Sequence, residues 1–235
     1  MKATFTALPK LTVTKTGSGT VTGPGIGCGS DCTERYANGT VVVLSATPAS
    51  GYAFTGWSGA CTGTDVCTVA MTAAKSVKAT FTALPKLTVT KTGSGTVTGP
   101  GIGCGSDCTE SYVQGTVVVL SATPASGYAF TGWSGACTGT DVCTVTMDAA
   151  KSVKATFTVL RKLTVTRSGL GTVTGPGIDC GSDCTELYLN STTVTLVAVP
   201  ASHSAFTGWS GACTGTDVCT VAMTAAKSVK ATFAP

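Results

Sequence analysis

Apolar and polar residues alternate along short segments of this chain, and glycine- or proline-containing turns separate the segments. Leu11-Thr12-Val13-Thr14-Lys15 is one such segment, and Thr20-Val21-Thr22 follows it after Thr16-Gly17-Ser18-Gly19. Gly23-Pro24-Gly25 then interrupts the pattern. A period of two residues is that of a β-strand with one buried face, and Gly and Pro clusters mark turns. The pattern therefore predicts short β-strands joined by tight turns.

Further strands are predicted downstream, over residues 52–57, 67–71 and 76–81. Between Tyr36 and the apolar segment that starts at Thr40 stands Asn38-Gly39, a dipeptide that is the strongest short-range signal for a β-hairpin. We therefore expect the strands on either side of Asn38-Gly39 to pair with each other.

The chain contains an internal repeat. The segment that begins at Leu11 returns at Leu87 and at Leu163, a period of 76 residues, and residues 11–86 differ from residues 87–162 at only seven of the 76 positions. This period exceeds that of a solenoid unit and suits a small domain that folds alone. We predict domains in series, with these limits: 1–9, the last strand and linker of a preceding repeat; 10–85, repeat 1; 86–161, repeat 2; and 162–235, repeat 3.

Two short joints, residues 83–86 and 159–162, connect the repeats. Neither is rich in Gly and Ser, so neither resembles a flexible tether, and we expect a rod. Residues 2–9 repeat the sequence of residues 78–85. Alone, this tail would expose Phe5 and a row of unpaired backbone groups. It is therefore expected to lie along repeat 1 as an extra edge strand, or to add to another copy of the chain, end to end.

The third repeat indicates which strand face is buried. Within residues 40–47 it exchanges Val, Thr and Ser at every second position, whereas Val42, Leu44 and Ala46 keep their identities. Side chains alternate between the two faces of a strand, so the unchanged positions predict the core face.

Composition narrows the class of protein. Charged residues make up 11% of the chain, and the net charge of +4 is too diffuse for a nucleic-acid interface. No stretch approaches the ~18 apolar residues of a membrane span, so we expect no direct membrane insertion. The start of the chain lacks the apolar region of a signal peptide, which favours an excised or mature segment of something longer. No cofactor is indicated.

Four cysteines recur in each repeat with the spacing C-x3-C and C-x5-C, and an even total of 12 suits an oxidising compartment. Two disulfides per repeat are therefore predicted, in preference to a zinc site, whose ligand pairs are usually spaced C-x2-C or C-x4-C. The predicted disulfide residues are Cys28, Cys32, Cys61, Cys67, Cys104, Cys108, Cys137, Cys143, Cys180, Cys184, Cys213 and Cys219.

Two connectivities of these cysteines are open. Local pairs, Cys28–Cys32 and Cys61–Cys67, would each stabilise the fold by about 2 kcal/mol through loop entropy, and a crossed arrangement by nearer 4 kcal/mol. Geometry favours the local pairs, because each lies within a Gly-bearing turn that can bring its own ends together.

Catalytic groups are sparse. The single histidine, His203, occurs in the third repeat only, so a catalytic triad is not predicted. Asp31, Glu34 and Asp65 recur in every repeat. We expect the aspartates to serve as local turn acceptors, because paired acids for hydrolysis need an enclosed cleft. A calcium site between repeats is the alternative, and it would need six or more oxygen ligands.

A tryptophan recurs once per repeat, next to a cysteine, in the sequence Gly-Trp-Ser-Gly-Ala-Cys. Such a residue can be a sugar-stacking platform, but we predict that it fills the core. The predicted aromatic core comprises Trp57, Trp133, Trp209, Phe54, Phe130, Phe206, Phe81, Phe157 and Phe233.

The repeat resembles the divergent form of the internalin B-type B-repeat. The resemblance is carried by the segment from Gly51 to Gly59 (GYAFTGWSG), by Ser76 to Phe81 (SVKATF), by the opening LTVT with GSGTVT, by the CGSDC turn and by VLSATP. It covers essentially the whole chain, three times. It implies a β-grasp-like module or small β-sandwich in a bacterial extracellular array, without catalysis.

Together these features predict a mainly β protein: three small disulfide-stabilised β-grasp-like or β-sandwich domains at the cell surface or outside the cell. The expected function is a non-catalytic stalk, fibre or adhesin spacer. The alternative is an adhesive module whose loops recognise a glycan or a host protein, and its most specialised copy is the third, with Leu187, Leu189, His203 and Ser204.

Overall fold

The computed structural model of the chain describes residues 7–29 and 31–235. Within these ranges the chain forms strands and turns, and no helix. The predicted mainly β fold class is confirmed. The predicted edge strand at residues 2–6 lies outside the described residues.

The first repeat contains eight strands, including two short ones near the first cysteine pair that the alternation of apolar residues did not indicate. The strands are β1 (Lys10–Thr16), β2 (Gly19–Gly23), β3 (Ile26–Cys28), β4 (Thr33–Arg35), β5 (Val41–Pro48), β6 (Tyr52–Gly59), β7 (Cys67–Ala70) and β8 (Lys75–Ala83).

These eight strands form two four-stranded sheets. The first sheet has the order β4-β1-β8-β6, and the second has the order β3-β2-β5-β7. In the first sheet, β1 and β8 are parallel neighbours, flanked by antiparallel β4 and β6. The second sheet is antiparallel throughout. Six of the seven connections pass from one sheet to the other, and only β2 and β3 form a hairpin.

Both sheets contribute to one core, so each repeat is a small β-sandwich with a β-grasp-like parallel pair at the centre of one sheet. Among the described residues, no polar or charged side chain is buried. The buried residues of the first repeat are Leu11, Val13, Val21, Ile26, Cys28, Tyr36, Val42, Leu44, Trp57, Cys67, Val69, Met71, Val77, Ala79 and Phe81.

Strand β5 has the face assignment that the third repeat predicted. Val42 and Leu44 are fully buried and Ala46 is half-buried against the core, whereas Val41 and Val43 are 59% and 45% exposed. Alternating burial of this kind places β-branched residues on both faces of the sheet, but the outer ones face solvent.

The expected hairpin at Asn38-Gly39 is wrong. The turn is present, with Thr40 N donating to Ala37 O at 3.1 Å and Gly39 at φ 86°. However, β4 before it pairs with β1, and β5 after it pairs with β2 and β7. The turn therefore carries the chain from the first sheet to the second, because the two strands that it joins pair with other strands and not with each other.

The second and third repeats have the same order of strands. Those of the second are β9 (Lys86–Thr92), β10 (Gly95–Gly99), β11 (Ile102–Cys104), β12 (Thr109–Ser111), β13 (Val117–Pro124), β14 (Tyr128–Gly135), β15 (Cys143–Thr146) and β16 (Lys151–Ser168). Those of the third are β17 (Gly171–Gly175), β18 (Ile178–Asp179), β19 (Thr185–Leu189), β20 (Thr193–Pro200), β21 (Ala205–Gly211), β22 (Cys219–Ala222) and β23 (Lys227–Ala234).

The two joints between repeats differ. Strand β8 ends at Ala83 and β9 begins at Lys86, whereas β16 runs without a break for 18 residues, from the second repeat into the third. Its first half pairs with β14, and its second half pairs with β19 and β23. Pro85 stands at the first joint where Arg161 stands at the second. Proline has no N–H to donate to a ladder, which accounts for the interruption.

By its contacts the chain divides into two compact units. One comprises the chain up to Leu87 with Ser111–Thr116 and Thr146–Ala150. The other comprises Thr88–Glu110, Val117–Val145 and Lys151–Pro235. The domain limits and the rod stay predictions.

Candidate functional site

All 12 cysteines lie in local disulfides, and none is free. The structure thus has the local connectivity, not the crossed one, and leaves no thiolate for a zinc site. The bonds are Cys28–Cys32, Cys61–Cys67, Cys104–Cys108, Cys137–Cys143, Cys180–Cys184 and Cys213–Cys219.

Each disulfide in the first repeat lies where the chain crosses between the sheets. Cys28 ends β3 in the second sheet, and Cys32 directly precedes β4 in the first sheet. Cys61 follows β6 in the first sheet, and Cys67 begins β7 in the second. One cysteine of each pair, Cys28 and Cys67, is buried in the core. The bonds therefore fasten the two sheets to each other at two of their six connections.

The recurrent aspartates act locally. The carboxylate of Asp31 accepts from the backbone N–H of Thr33 at 3.1 Å, and Asp107 and Asp183 do the same in the other repeats. The predicted turn role is confirmed for these three residues. In residues 7–29 and 31–235, no group of three or more His, Cys, Asp or Glu side chains could hold a metal ion. The acids singled out for calcium are thus not brought together within the part of the chain described.

Trp57 is part of the core, with only 5% of its surface exposed. Its indole N–H donates to the backbone carbonyl of Asp65 at 2.8 Å, and the loop between β6 and β7 closes over it through a Trp57 N to Gly63 O bond of 2.7 Å. Trp133 and Trp209 have the same indole bonds. A ring covered in this way cannot be a flat sugar-stacking platform.

The other aromatic residues frame this tryptophan. Phe54 is half-buried, with its ring 5.0 Å from Trp57 and 5.5 Å from Phe81, which is itself buried. A β-bulge between Phe54 and Gly56 changes the register of β6 against β8, and Gly56 has φ 144°. The bulge lets Phe54 and Trp57, three residues apart, point to the same side of the strand.

A shallow groove opens beside Phe54 and Trp57 in every repeat. It measures about 160 Å³ in the first repeat, 360 Å³ in the second and 100 Å³ in the third. In the first repeat it is lined by Leu44, Ser45, Ala46, Phe54, Trp57, Thr64, Asp65 and Val66. Val66 is exposed at its rim. Such a groove can receive a small apolar group, but it is too small to enclose a typical ligand of 300 Å³ or more in the first and third repeats.

Tyr36 is a further aromatic residue of the core. Its hydroxyl donates to the backbone carbonyl of Pro24, and burial, followed by the charge of Glu34, raises the pKa of this hydroxyl above its ordinary value. Tyr188 and Glu186 are the equivalent pair of the third repeat, with the same direction and the same causes. The hydroxyl therefore stays protonated and acts as a structural donor.

The third repeat has two residues in the left-handed backbone region, His203 at φ 62° and Ser191 at φ 69°. Their counterparts in the first repeat are Gly51 and Gly39, at φ 76° and 86°. His203 is exposed in its turn.

Sequence and geometry together identify the repeat. A family model described as the divergent InlB B-repeat domain matches residues 9–85, 86–160 and 161–235. The chain belongs to this family. No curated protein matches the chain. The described residues contain no helix long and apolar enough to cross a bilayer.

The B-repeats of this chain are an extracellular type of module, which agrees with their six disulfides. The sequence did not predict the groove. It also did not predict that the disulfides lie where the chain passes from one sheet to the other. The signal for the groove was Phe54 and Trp57 at a spacing of three with a glycine between them, which is incompatible with plain alternation.

Proposed function

We propose that this chain is a non-catalytic, tension-bearing segment of an extracellular stalk. The family and the disulfides support an extracellular repeat module. The observation that carries the stalk role is the pairing of the first strand of a repeat with its last strand.

In the first repeat, β1 and β8 are parallel neighbours over six residue pairs, from Leu11 opposite Lys75 to Thr16 opposite Thr80. In a parallel pair, the chain enters at one end of the sheet and leaves at the other. The third repeat has the same six-pair ladder between β16 and β23. A module that the chain enters at one end and leaves at the other suits a spacer.

This arrangement also determines how tension acts. A pull on the two ends of a repeat is directed along β1 and β8 in opposite directions, so the ladder is sheared. All of its hydrogen bonds must then fail together, whereas peeling breaks them one at a time. Leu11, Val77 and Ala79 are fully buried beside the ladder, so shearing also exposes core residues.

From the second repeat to the third, tension passes through backbone that is itself hydrogen-bonded. Strand β16 is the last strand of the second repeat and the first strand of the third, without an intervening linker. Across this joint, Arg161 Nε donates to Asn190 Oδ1 at 2.9 Å, and Asn190 N donates to Val159 O at 2.9 Å.

Force spectroscopy on the full chain, held by its two ends, tests the proposal. We expect three unfolding events of equal length. A repeat of 76 residues, less its folded length and its two closed loops, gives about 210 Å per event, and reduction of the disulfides adds about 25 Å.

The matched control changes only the direction of the pull. Anchors at Lys10 and Lys75 lie at the same end of the two paired strands and peel the ladder open. We expect the first repeat to unfold at a force several-fold lower than between its natural ends. Equal forces in the two directions would rule out the shear mechanism and remove the main support for the stalk.

An adhesive module is the second candidate. The third repeat favours it, because Leu187 and Leu189 are 51% and 38% exposed on β19, where the first repeat has Arg35 and Ala37. A glycan array would detect selective binding. Binding by the unmodified chain that is lost in the double variant Leu187→Arg, Leu189→Ala would support this candidate over a pure spacer.

A further inference from the structure

The basic residues of this chain are confined to one of the two sheets. Every Lys and Arg among the described residues lies on a strand of the first sheet or on its counterpart in another repeat. None of the described basic residues lies on the second sheet. The positive charge that looks diffuse along the sequence is therefore collected on one sheet of the fold.

The acidic residues avoid the strands that carry this charge. No Asp or Glu lies on β1, β6 or β8, or on their counterparts β9, β14, β16, β21 and β23. On the neighbouring strand β4, Glu34 lies opposite the buried Leu11 and therefore on the core side. The carboxylate of Asp31, which precedes β4, accepts from the backbone N–H of Thr33. The outer face of β1, β6 and β8 thus carries positive charge and no carboxylate of its own.

Lys78 is exposed at the centre of this face, among hydroxyl groups. Thr14 on β1 and Ser58 on β6 lie directly opposite it, and Ser76 and Thr80 lie two residues away on its own strand. We call these five residues, and their counterparts in each repeat, the lysine–hydroxyl cluster. The counterparts are Thr90, Ser134, Ser152, Lys154 and Thr156 in the second repeat, and Thr166, Ser210, Ser228, Lys230 and Thr232 in the third.

The positive charges on this face are widely spaced. Lys10 lies four residues along β1 from the position opposite Lys78, so the two lysines are about 13 Å apart along the strands. The third repeat has the same spacing between Lys162 and Lys230. In the first repeat, Arg35 lies directly opposite Lys10, and like charges in such a pair repel each other. An anion bound at this face would relieve that repulsion.

The spacing decides between two classes of polyanion. A nucleic-acid strand carries one phosphate about every 3.4 Å, so lysines that far apart would meet only about one phosphate in four. Single-stranded bases also need exposed aromatic rings to stack on, whereas the aromatic residues of β6 and β8 pack in or against the core. A polysaccharide with one carboxylate in each disaccharide spaces its charges by two sugar rings and has hydroxyl groups between them. The lysine–hydroxyl cluster has the complementary alternation.

We infer that the outer face of the first sheet binds an acidic polysaccharide that carries one carboxylate in every disaccharide. Lys78 pairs with the carboxylate, and the Ser and Thr hydroxyls around it exchange hydrogen bonds with sugar hydroxyls. Each cluster lies within one repeat, so it binds whatever the arrangement of the repeats. A flexible polymer can contact more than one cluster, which raises the apparent affinity. The stalk role is independent of this binding, because the shear-resistant ladder consists of backbone hydrogen bonds.

Binding of the full chain to immobilised hyaluronan, a polymer of this kind, tests the inference by biolayer interferometry. We expect saturable binding at about 50 mM NaCl that weakens about tenfold or more at about 500 mM, because salt screens exposed charges. The triple variant Lys78→Gln, Lys154→Gln and Lys230→Gln should weaken binding by about tenfold or more, because each cluster loses its charge-assisted bond. Arginine at the same three positions keeps the charge and should bind to within about threefold of the unmodified chain.

The control removes the same three charges from the first sheet outside the clusters, through Lys15→Gln, Lys91→Gln and Arg167→Gln. It should bind hyaluronan like the unmodified chain, and thermal unfolding of all variants should coincide. The inference is overturned if the unmodified chain does not bind hyaluronan, or if the two glutamine variants lose binding alike. Equally tight binding of single-stranded DNA or polyphosphate would overturn it in favour of a general attraction for polyanions. Equal binding of neutral dextran would overturn it in favour of an uncharged polysaccharide.

Discussion

Replacing Gly19 with alanine places a methyl group against the ring of Phe81. A Cβ built at Gly19 would lie 2.5 to 2.6 Å from three ring carbons, a separation that non-bonded Cβ atoms in folded proteins essentially never show. Phe81 is only 3% exposed and contacts Phe54, so it cannot swing away freely. Overpacking of this kind costs about 1–3 kcal/mol. At Gly27, by contrast, a Cβ would meet nothing within 4 Å. Alanine there should be neutral, or stabilising by up to about 0.5 kcal/mol.

The second repeat has the same pair, Gly95 against Phe157 and Gly103 in open space, so both repeats can be changed together. Urea unfolding followed by fluorescence of the buried tryptophans measures the difference. Adding Phe81→Leu to Gly19→Ala should recover part of the loss, because the two sites share one contact. Equal midpoints for the alanine variants at Gly19 and Gly27 would refute the reasoning.

Three further predictions follow from the same geometry. Ser191→Gly removes a left-handed serine at φ 69° and should stabilise the third repeat by about 0.5–1 kcal/mol, measured by hydrogen exchange of its amides. Reduction of the two disulfides should lower the unfolding free energy of a repeat by about 4 kcal/mol, seen as a shift in urea midpoint with and without reductant. Because the pKa of Tyr36 is raised in the folded state, the contribution of its protonated hydroxyl to the free energy of unfolding is complete below pH ~10. This contribution is lost as the pH rises through the pKa of the folded state. Tyr36→Phe should therefore flatten the fall in stability above pH ~10, and an unchanged fall would contradict this.

The sequence predicted what depends on alternation and on turn chemistry. Both faces of β5 could be assigned because burial follows the period of the strand, and the third repeat exchanged only outward residues. The partner of a strand could not be predicted in the same way. The turn at Asn38-Gly39 was recognised, but its dipeptide says nothing of whether the flanking strands pair. Strand β3, with three residues, was too short to show a period at all. The groove depends on the bulge at Gly56, a register shift that alternation cannot indicate.

The short disulfide loops have a consequence for how such a chain can mature. Twelve cysteines could pair in roughly ten thousand ways, and three nearly identical segments offer every cysteine several wrong partners of equal chemistry. Neighbouring domains of this similarity are prone to exchange elements during folding. Here each thiol finds its mate four or six residues away. Closure of so small a ring is much faster than any encounter between repeats. Oxidation can therefore be correct before tertiary structure exists, and lengthening the array by further copies adds no new opportunity for error.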